Sequence, residues 1–337
     1  MNIELLRIKN LNLSYRLNFG TEFYVLRDID LEIVKKQKVA LIGESGSGKS
    51  TLGYSILRLI SDNEINFSGE ITFFSNKECC DTTQLFDKKN ILEDKIGHIR
   101  GRHISMIFQD PFSALNPVIP VGEQIEEIIL NHNNKISKED LYKKVLQLLN
   151  LVKLDNETGI YKKFPHQLSG GQLQRICIAI SIANTPELLI ADEPTTSLDA
   201  SLRKNILDII LELVNKNEMS LLLITHDLTI VKDYVNYIYI LYAGEIVEQG
   251  DVFSLTKNPL HPYSQMLISC YPEKSKKGNP LPTISGQMPD LRNKNFFERC
   301  IFLNRCHKKI SKCNFEKPNF YIHNNSKVKC FLYEQQQ

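Results

Sequence analysis

Short apolar stretches separated by glycine and charge set the pattern of the first forty residues. Segments 3–8, 11–15 and 28–33 mix or alternate polar and β-branched positions, which predicts half-buried strands. The run 39–42 is apolar at every position and ends at a glycine, as a buried parallel strand does. A glycine-rich loop and a helix to about Ile60 are expected next, followed by a polar, irregular insertion over 75–98. Residues 103–108 predict a further strand, running into a proline-rich turn over 110–120.

Periodicity then changes to that of helices. Residues 121–184 are expected to be mostly helical, with Ser137 and Asp140 forming a capping box and Leu141, Val145, Leu148 and Leu149 recurring on one face. Strand and helix alternate again afterwards. Residues 187–191 predict a strand, Leu202, Ile206, Ile209 and Leu213 stripe a helix, and 220–225 predict another strand. Such alternation argues for an α/β domain built on a largely parallel sheet. From about 257 the chain turns rich in Pro, Lys and Asn, marking an appended extension.

A chain of 337 residues with 42% hydrophobic content can fill a sizeable core. Its net charge of +2 gives no general reason to expect nucleic acid as a partner. No apolar run approaches the ~18–20 residues of a bilayer crossing, and the start lacks a signal-peptide layout, so a cytosolic protein with a peripheral membrane role is expected. Of the eight cysteines, Cys79, Cys80, Cys177 and Cys270 are scattered, Cys177 reading as core, whereas Cys300, Cys306, Cys313 and Cys330 crowd the extension.

Two segments carry chemistry. Gly43, Glu44, Ser45, Gly46, Ser47, Gly48, Lys49, Ser50 and Thr51 form a phosphate-binding loop between strand and helix. Its glycines let backbone N–H groups wrap phosphates at a helix N-terminus; Lys49 reaches the β- and γ-phosphates and Ser50 ligates Mg2+. The second is Leu168-Ser169-Gly170-Gly171-Gln172, which lies seventeen residues ahead of an apolar strand closing on Asp192 and Glu193. Asp192 is placed to hold Mg2+ and Glu193 to polarise the attacking water.

These pieces, in this order, resemble the nucleotide-binding subunit of an ABC transporter. The resemblance implies a RecA-like core with an antiparallel β subdomain and a helical signature subdomain. On that likeness Tyr15 stacks on adenine, Gln109 senses Mg2+ and water, Ser197, Leu198 and Asp199 cross a dimer interface, and His226 contacts the γ-phosphate. The signature, Ser169 to Gln172, then clamps ATP held by a second subunit. QDPFSALNP at 109–117, YAGEIVEQG at 242–250, NPLHPY at 258–263, LPTISGQMPDL at 281–291 and CIFLNRC at 300–306 are similar to the peptide/nickel importer ATPases, and over the whole length to their dipeptide/oligopeptide members. The expected organisation is an ATPase domain at 1–256, with its helical subdomain at about 110–184, and an extension at 257–337.

The function implied is ATP hydrolysis driving peptide import at the cytoplasmic face of the membrane. The implied partners are a second, related ATPase, two permeases and an extracytoplasmic peptide-binding protein. Import of nickel or another small solute is the alternative, and a soluble, non-transport ABC protein the rival from another class. The four clustered cysteines need a staple in a segment with little core of its own. Disulfides are disfavoured in reducing cytosol, and structural zinc sites use closer cysteine pairs than these. Four cysteinates also suit a [4Fe–4S] cluster, which the resembling importer ATPases carry; zinc, or no metal, stays open. Residues 290–330 hold ten Lys/Arg against three Asp/Glu, an excess that could simply face solvent, contact anionic headgroups or the partner ATPase, or offset an anionic cluster. The expected role is structural, remote from the phosphate-binding loop.

Overall fold

The computed structural model describes all residues except 1–2, 18–20, 62, 76–82, 87–92, 155–158, 197, 271–283, 293 and 335–337. Ser197, Cys79, Cys80 and the start of the 281–291 motif therefore lie outside the described residues. The strands are β1 Glu4–Arg16, β2 Glu22–Val34, β3 Lys38–Ile42, β4 Ile65–Phe73, β5 Thr83–Phe86, β6 Ile104–Ile107, β7 Leu188–Asp192, β8 Ser220–Thr225, β9 Tyr237–Tyr242, β10 Glu245–Asp251, β11 Tyr321–His323 and β12 Ser326–Val328. The helices are α1 Lys49–Ile56, α2 Glu93–Ile99, α3 Pro111–Ala114, α4 Val121–Leu130, α5 Lys138–Leu151, α6 Gly170–Ile182, α7 Ala200–Lys216, α8 Leu228–Val231, α9 Val252–Lys257 and α10 Pro262–Ser269.

Among the described residues two sheets form. One is antiparallel, ordered β2-β1-β4-β5; the other is ordered β11-β12-β10-β9-β3-β8-β7-β6, with β9, β3, β8, β7 and β6 parallel. The parallel strands are largely apolar along their lengths because both faces are covered. Alternate side chains go to different cores. Ala40, Ile42, Leu189, Ala191, Leu221 and Leu223 join the helices, while Val39, Leu41, Leu188, Ile190, Leu222 and Ile224 face α1 and the antiparallel sheet. No described helix is long and apolar enough to cross a membrane.

Several sequence expectations change. Segments 3–8 and 11–15 are one strand, kept continuous by register shifts beside Asn10, whose φ is 46°. Strand β4 escapes periodicity because Gly69 interrupts it, and Gly69 is required there: φ is 101° and a Cβ would stand 2.3 Å from the Asn10 carbonyl oxygen. The supposedly irregular 75–98 contains β5, paired to β4, and α2. Ser137 caps α5, accepting from Asp140 N at 3.1 Å. Cys177 is core, and burial pushes its thiol up to about 12.

The largest revision concerns the extension. Its hairpin β11–β12 adds to β10 and so continues the central sheet, and the boundary expected near 256 runs through shared structure. Phe302 is buried against Tyr242 and Tyr263, with ring centroids 5.0 and 5.5 Å away. The extension is therefore not remote from the 43–51 loop: Tyr263 Oη accepts from Glu44 N at 2.9 Å.

Candidate active site

The chain places the loop between β3 and α1 by close packing. At Gly43 a Cβ would stand 2.2 Å from the Leu241 carbonyl oxygen, so only glycine lets β3 turn against β9. Gly48 caps α1 at φ 103°, in the left-handed region, which aims the first N–H groups of the helix into the loop. Lys49 is buried, and its Nζ donates to Gly43 O and Glu44 O at 2.9 Å each. Burial lowers its pKa, while Glu193, Asp192 and Glu44 oppose that.

The loop opens on a cavity of about 780 Å3. Tyr15, Gln109, Glu193 and His226, all singled out in sequence, line it with the loop. Asp192 forms the floor beneath: its Oδ1 accepts from Ser50 Oγ at 3.1 Å. Burial raises its pKa to about 6, with Glu193 adding to the effect. Its Oδ2 is buried with no hydrogen-bond partner among the described residues. A buried carboxylate oxygen left unpaired next to a hydroxyl is a donor set suited to a hard cation such as Mg2+.

Glu193 sits above this floor at φ 43°, strained backbone that turns its side chain into the cavity. Its Oε2 accepts from Thr196 Oγ1 at 2.8 Å and Gln109 Nε2 at 3.3 Å, and its Oε1 lies 3.2 Å from His226 Nδ1. The bond to His226 is the main reason its carboxyl is held below the usual range, and the same bond raises His226. The carboxylate is thus ionised and oriented at neutral pH, as a group that orders water must be.

The signature residues lie elsewhere. Ser169 caps α6, accepting from Gln172 N, while Gln172 Oε1 accepts from Ser169 N at 3.0 Å. Asp199 caps α7, accepting from Leu202 N at 3.1 Å. Neither lines the cavity. Sequence reasoning missed Phe23, Val25, Thr196, Leu267 and Cys270, which do line it. Only Thr196 had a local signal, three residues past Glu193. Leu267 and Cys270 come from α10 and its end, and no motif announces them.

The four extension cysteines come near one another without disulfides: Cys300 N donates to Cys313 O at 3.3 Å, and each thiolate is felt electrostatically by Cys300. Burial, then mutual repulsion, pushes Cys300 up to about 12 and Cys330 up to about 11. Among the described residues, no three His, Cys, Asp or Glu side chains gather closely enough to hold one metal ion.

Comparison with known proteins gives this cavity a family. The ABC transporter family matches residues 26–196, and the oligopeptide/dipeptide transporter C-terminal region matches 247–313. The oligopeptide transport ATP-binding protein AppD of Bacillus subtilis (strain 168) is 38% identical over 309 residues, 91% of this chain and 90% of that protein. The dipeptide transport ATP-binding protein DppD of the same organism is 36% identical over 333 residues, 98% of this chain and 96% of that one. A dimeric, post-hydrolysis structure of the ATP-binding cassette MJ0796 with ADP and Pi superposes with a TM-score of 0.63 at 26% identity, covering 74% of this chain and 99% of that one. The chain thus belongs to the ABC transporter ATPases, with a cassette fold extended by the oligopeptide/dipeptide transporter C-terminal region.

Proposed function

We propose that this chain is the ATP-hydrolysing subunit of a peptide importer. The observation that carries the reading is an ionised, oriented Glu193 beside a buried lysine in a loop built to wrap phosphates. That the relatives matched over nearly the whole chain are named for oligopeptide and dipeptide transport supports the substrate class. In the reaction inferred, the 43–51 loop binds the ATP phosphates and Lys49 moves from its carbonyls to the β- and γ-phosphates. Ser50 and Asp192 would hold Mg2+, which would supply charge neutralisation on the phosphates. Glu193 orients the attacking water and takes its proton, with Gln109, Thr196 and His226 holding the carboxylate. His226, raised toward its charged form, places positive charge where the γ-phosphoryl oxygens develop theirs.

Ser169 to Gln172 and Asp199 act on ATP bound by a second, related subunit. The glycines support this. A Cβ at Gly170 would meet nothing nearer than Leu198 Cδ2 at 4.0 Å, so this chain's own packing does not demand glycine there. The demand comes from outside, from phosphates approached closely by backbone. Two permeases and a peptide-binding protein complete the importer, with this chain at the cytoplasmic face of the membrane.

The test is uptake of labelled di- and oligopeptides in a strain lacking the gene, with nickel uptake measured alongside. Restoration of peptide uptake by the native chain, and not by Lys49→Ala, is expected. Restored nickel uptake alone would favour the nickel reading, and a chain that fractionates with soluble protein would favour the non-transport one.

For Cys300, Cys306, Cys313 and Cys330 we infer a [4Fe–4S] cluster, which would cross-link the extension. The support is that the four cysteines lie near one another, free of disulfides, in a segment with only a small core of its own. Lys308 and Lys309, felt at Cys306, would offset the charge of an anionic assembly. Iron and acid-labile sulfide in near-equal amounts are expected after anaerobic purification; stoichiometric zinc instead would overturn the assignment.

A further inference from the structure

Glu44 is an unexpected group for a loop that must hold polyphosphate. It lies within the loop, lines the cavity and is felt by Lys49. Left alone, its carboxylate would repel each phosphate brought to the loop. It is not alone, because Arg305 of the extension reaches back to it. Arg305 Nη1 donates to Glu44 Oε2 at 2.7 Å and Nη2 to Oε1 at 3.0 Å, a bidentate pair whose guanidinium side chain is 5% exposed. The remaining donors are tied down as well: Nε donates to Ser285 O at 3.0 Å, Nη2 also to Ile284 O at 3.3 Å, and Nη1 also to Tyr242 Oη at 3.4 Å. The fork cannot swing away, and its planar geometry matches one carboxylate.

The backbone of Glu44 is gripped too. Its N–H donates to Tyr263 Oη at 2.9 Å, and its carbonyl accepts from Lys49. Phe302, three residues before Arg305, wedges against Tyr242 and Tyr263. The extension thus holds both the charge of Glu44 and the tyrosine that orients its peptide.

We propose that Arg305 is a positioning residue of the nucleotide site, neutralising Glu44 so that the cysteine-bearing extension sets the affinity of the loop for ATP. This rests on the reading of 43–51 as the phosphate site. Arg305 is followed directly by Cys306, so disturbance of the cysteine module reaches the loop through one peptide bond. A residue that merely glued the extension to the core would also lower stability, but its loss would not be repaired by removing a charge from the loop.

The test uses the purified full-length chain and titrations with ATP, ADP and adenosine for Arg305→Met, Arg305→Lys, Glu44→Gln, the double variant Arg305→Met/Glu44→Gln, and Lys49→Ala. Arg305→Met is expected to weaken ATP on the order of tenfold, ADP less, and adenosine hardly at all, because the penalty scales with phosphate charge. The double variant is expected to return to within about threefold of Glu44→Gln, and Arg305→Lys to keep most of the affinity. Wild-type ATP affinity in Arg305→Met, or a defect that persists unchanged in the double variant, would overturn the proposal. Should Arg305→Met not fold, a loss of ATP affinity in Arg305→Lys as severe as that expected of the Met variant would refute the charge argument. Unchanged ATP binding by Lys49→Ala would instead remove the phosphate-site reading on which the inference stands.

Discussion

Glu248 offers a sharp test of how the extension is seated. It is 0% exposed on β10, and its two carboxylate oxygens accept from Leu260 N at 2.7 Å and His261 N at 2.9 Å. These peptides lead into α10, which carries Tyr263 and ends beside Cys270 in the cavity wall. Glu248→Ala leaves two buried N–H groups without an acceptor. Hydrogen bonds to a charged partner are worth about 1.5–3 kcal/mol each, so the loss is about 3–6 kcal/mol. Burial disfavours the charged form of Glu248, raising its pKa, which places the net cost toward the lower end of that range. Glu248→Gln keeps one acceptor and is expected to lose roughly half as much. Urea unfolding followed by circular dichroism measures the cost, and limited proteolysis between 252 and 262 reports whether α10 has loosened. ATP affinity is expected to fall together with stability, because Tyr263 no longer holds Glu44 N in place. A change below about 1 kcal/mol for Glu248→Ala, with the proteolysis pattern unchanged, would refute the reasoning.

Glu193→Gln keeps the shape of the side chain and is expected to preserve ATP binding while lowering turnover by roughly 10²–10⁴-fold, measured as phosphate release by the assembled complex. Wild-type turnover would show that another group handles the water. Gly170→Asp is expected to leave folding and ATP affinity of the isolated chain intact, because the Cβ has room, yet to abolish hydrolysis in the assembled complex; lost ATP binding by the isolated chain would contradict the trans arrangement. Asp192 holds its proton up to about 6 in the folded state against 3.8 unfolded. The native state therefore binds more protons between these values, and stability falls as pH rises through them, by at most roughly 3 kcal/mol, then stays level. Asp192→Asn is expected to remove that slope from the pH profile of thermal unfolding; a profile identical to the native one would count against a buried, proton-holding Asp192.

What local sequence could announce was whatever depends on neighbours along the chain. Glycines ahead of Lys49 announced a tight loop between strand and helix, since the close approach at Gly43 and the left-handed backbone at Gly48 need residues without a Cβ. The apolar runs that became β3, β7 and β8 announced a sheet covered on both faces, and Asp192 and Glu193 followed from their place at the end of one of them. Strand β4 was not visible, since Gly69 breaks its alternation to let Asn10 approach across the sheet. The cavity wall at Leu267 and Cys270 was not visible either, because these residues acquire a role only when α10 is carried back to the loop. The pair of Glu44 and Arg305 is the clearest case: 261 positions separate them. One charge looks like an oddity in a phosphate loop and the other like part of a basic tail. Charges so far apart in sequence have no periodic relation that a reading of neighbours could detect. Only a tertiary structure that joins β12 to the edge of β10 and buries Phe302 beneath Tyr242 and Tyr263 turns them into a single bidentate contact.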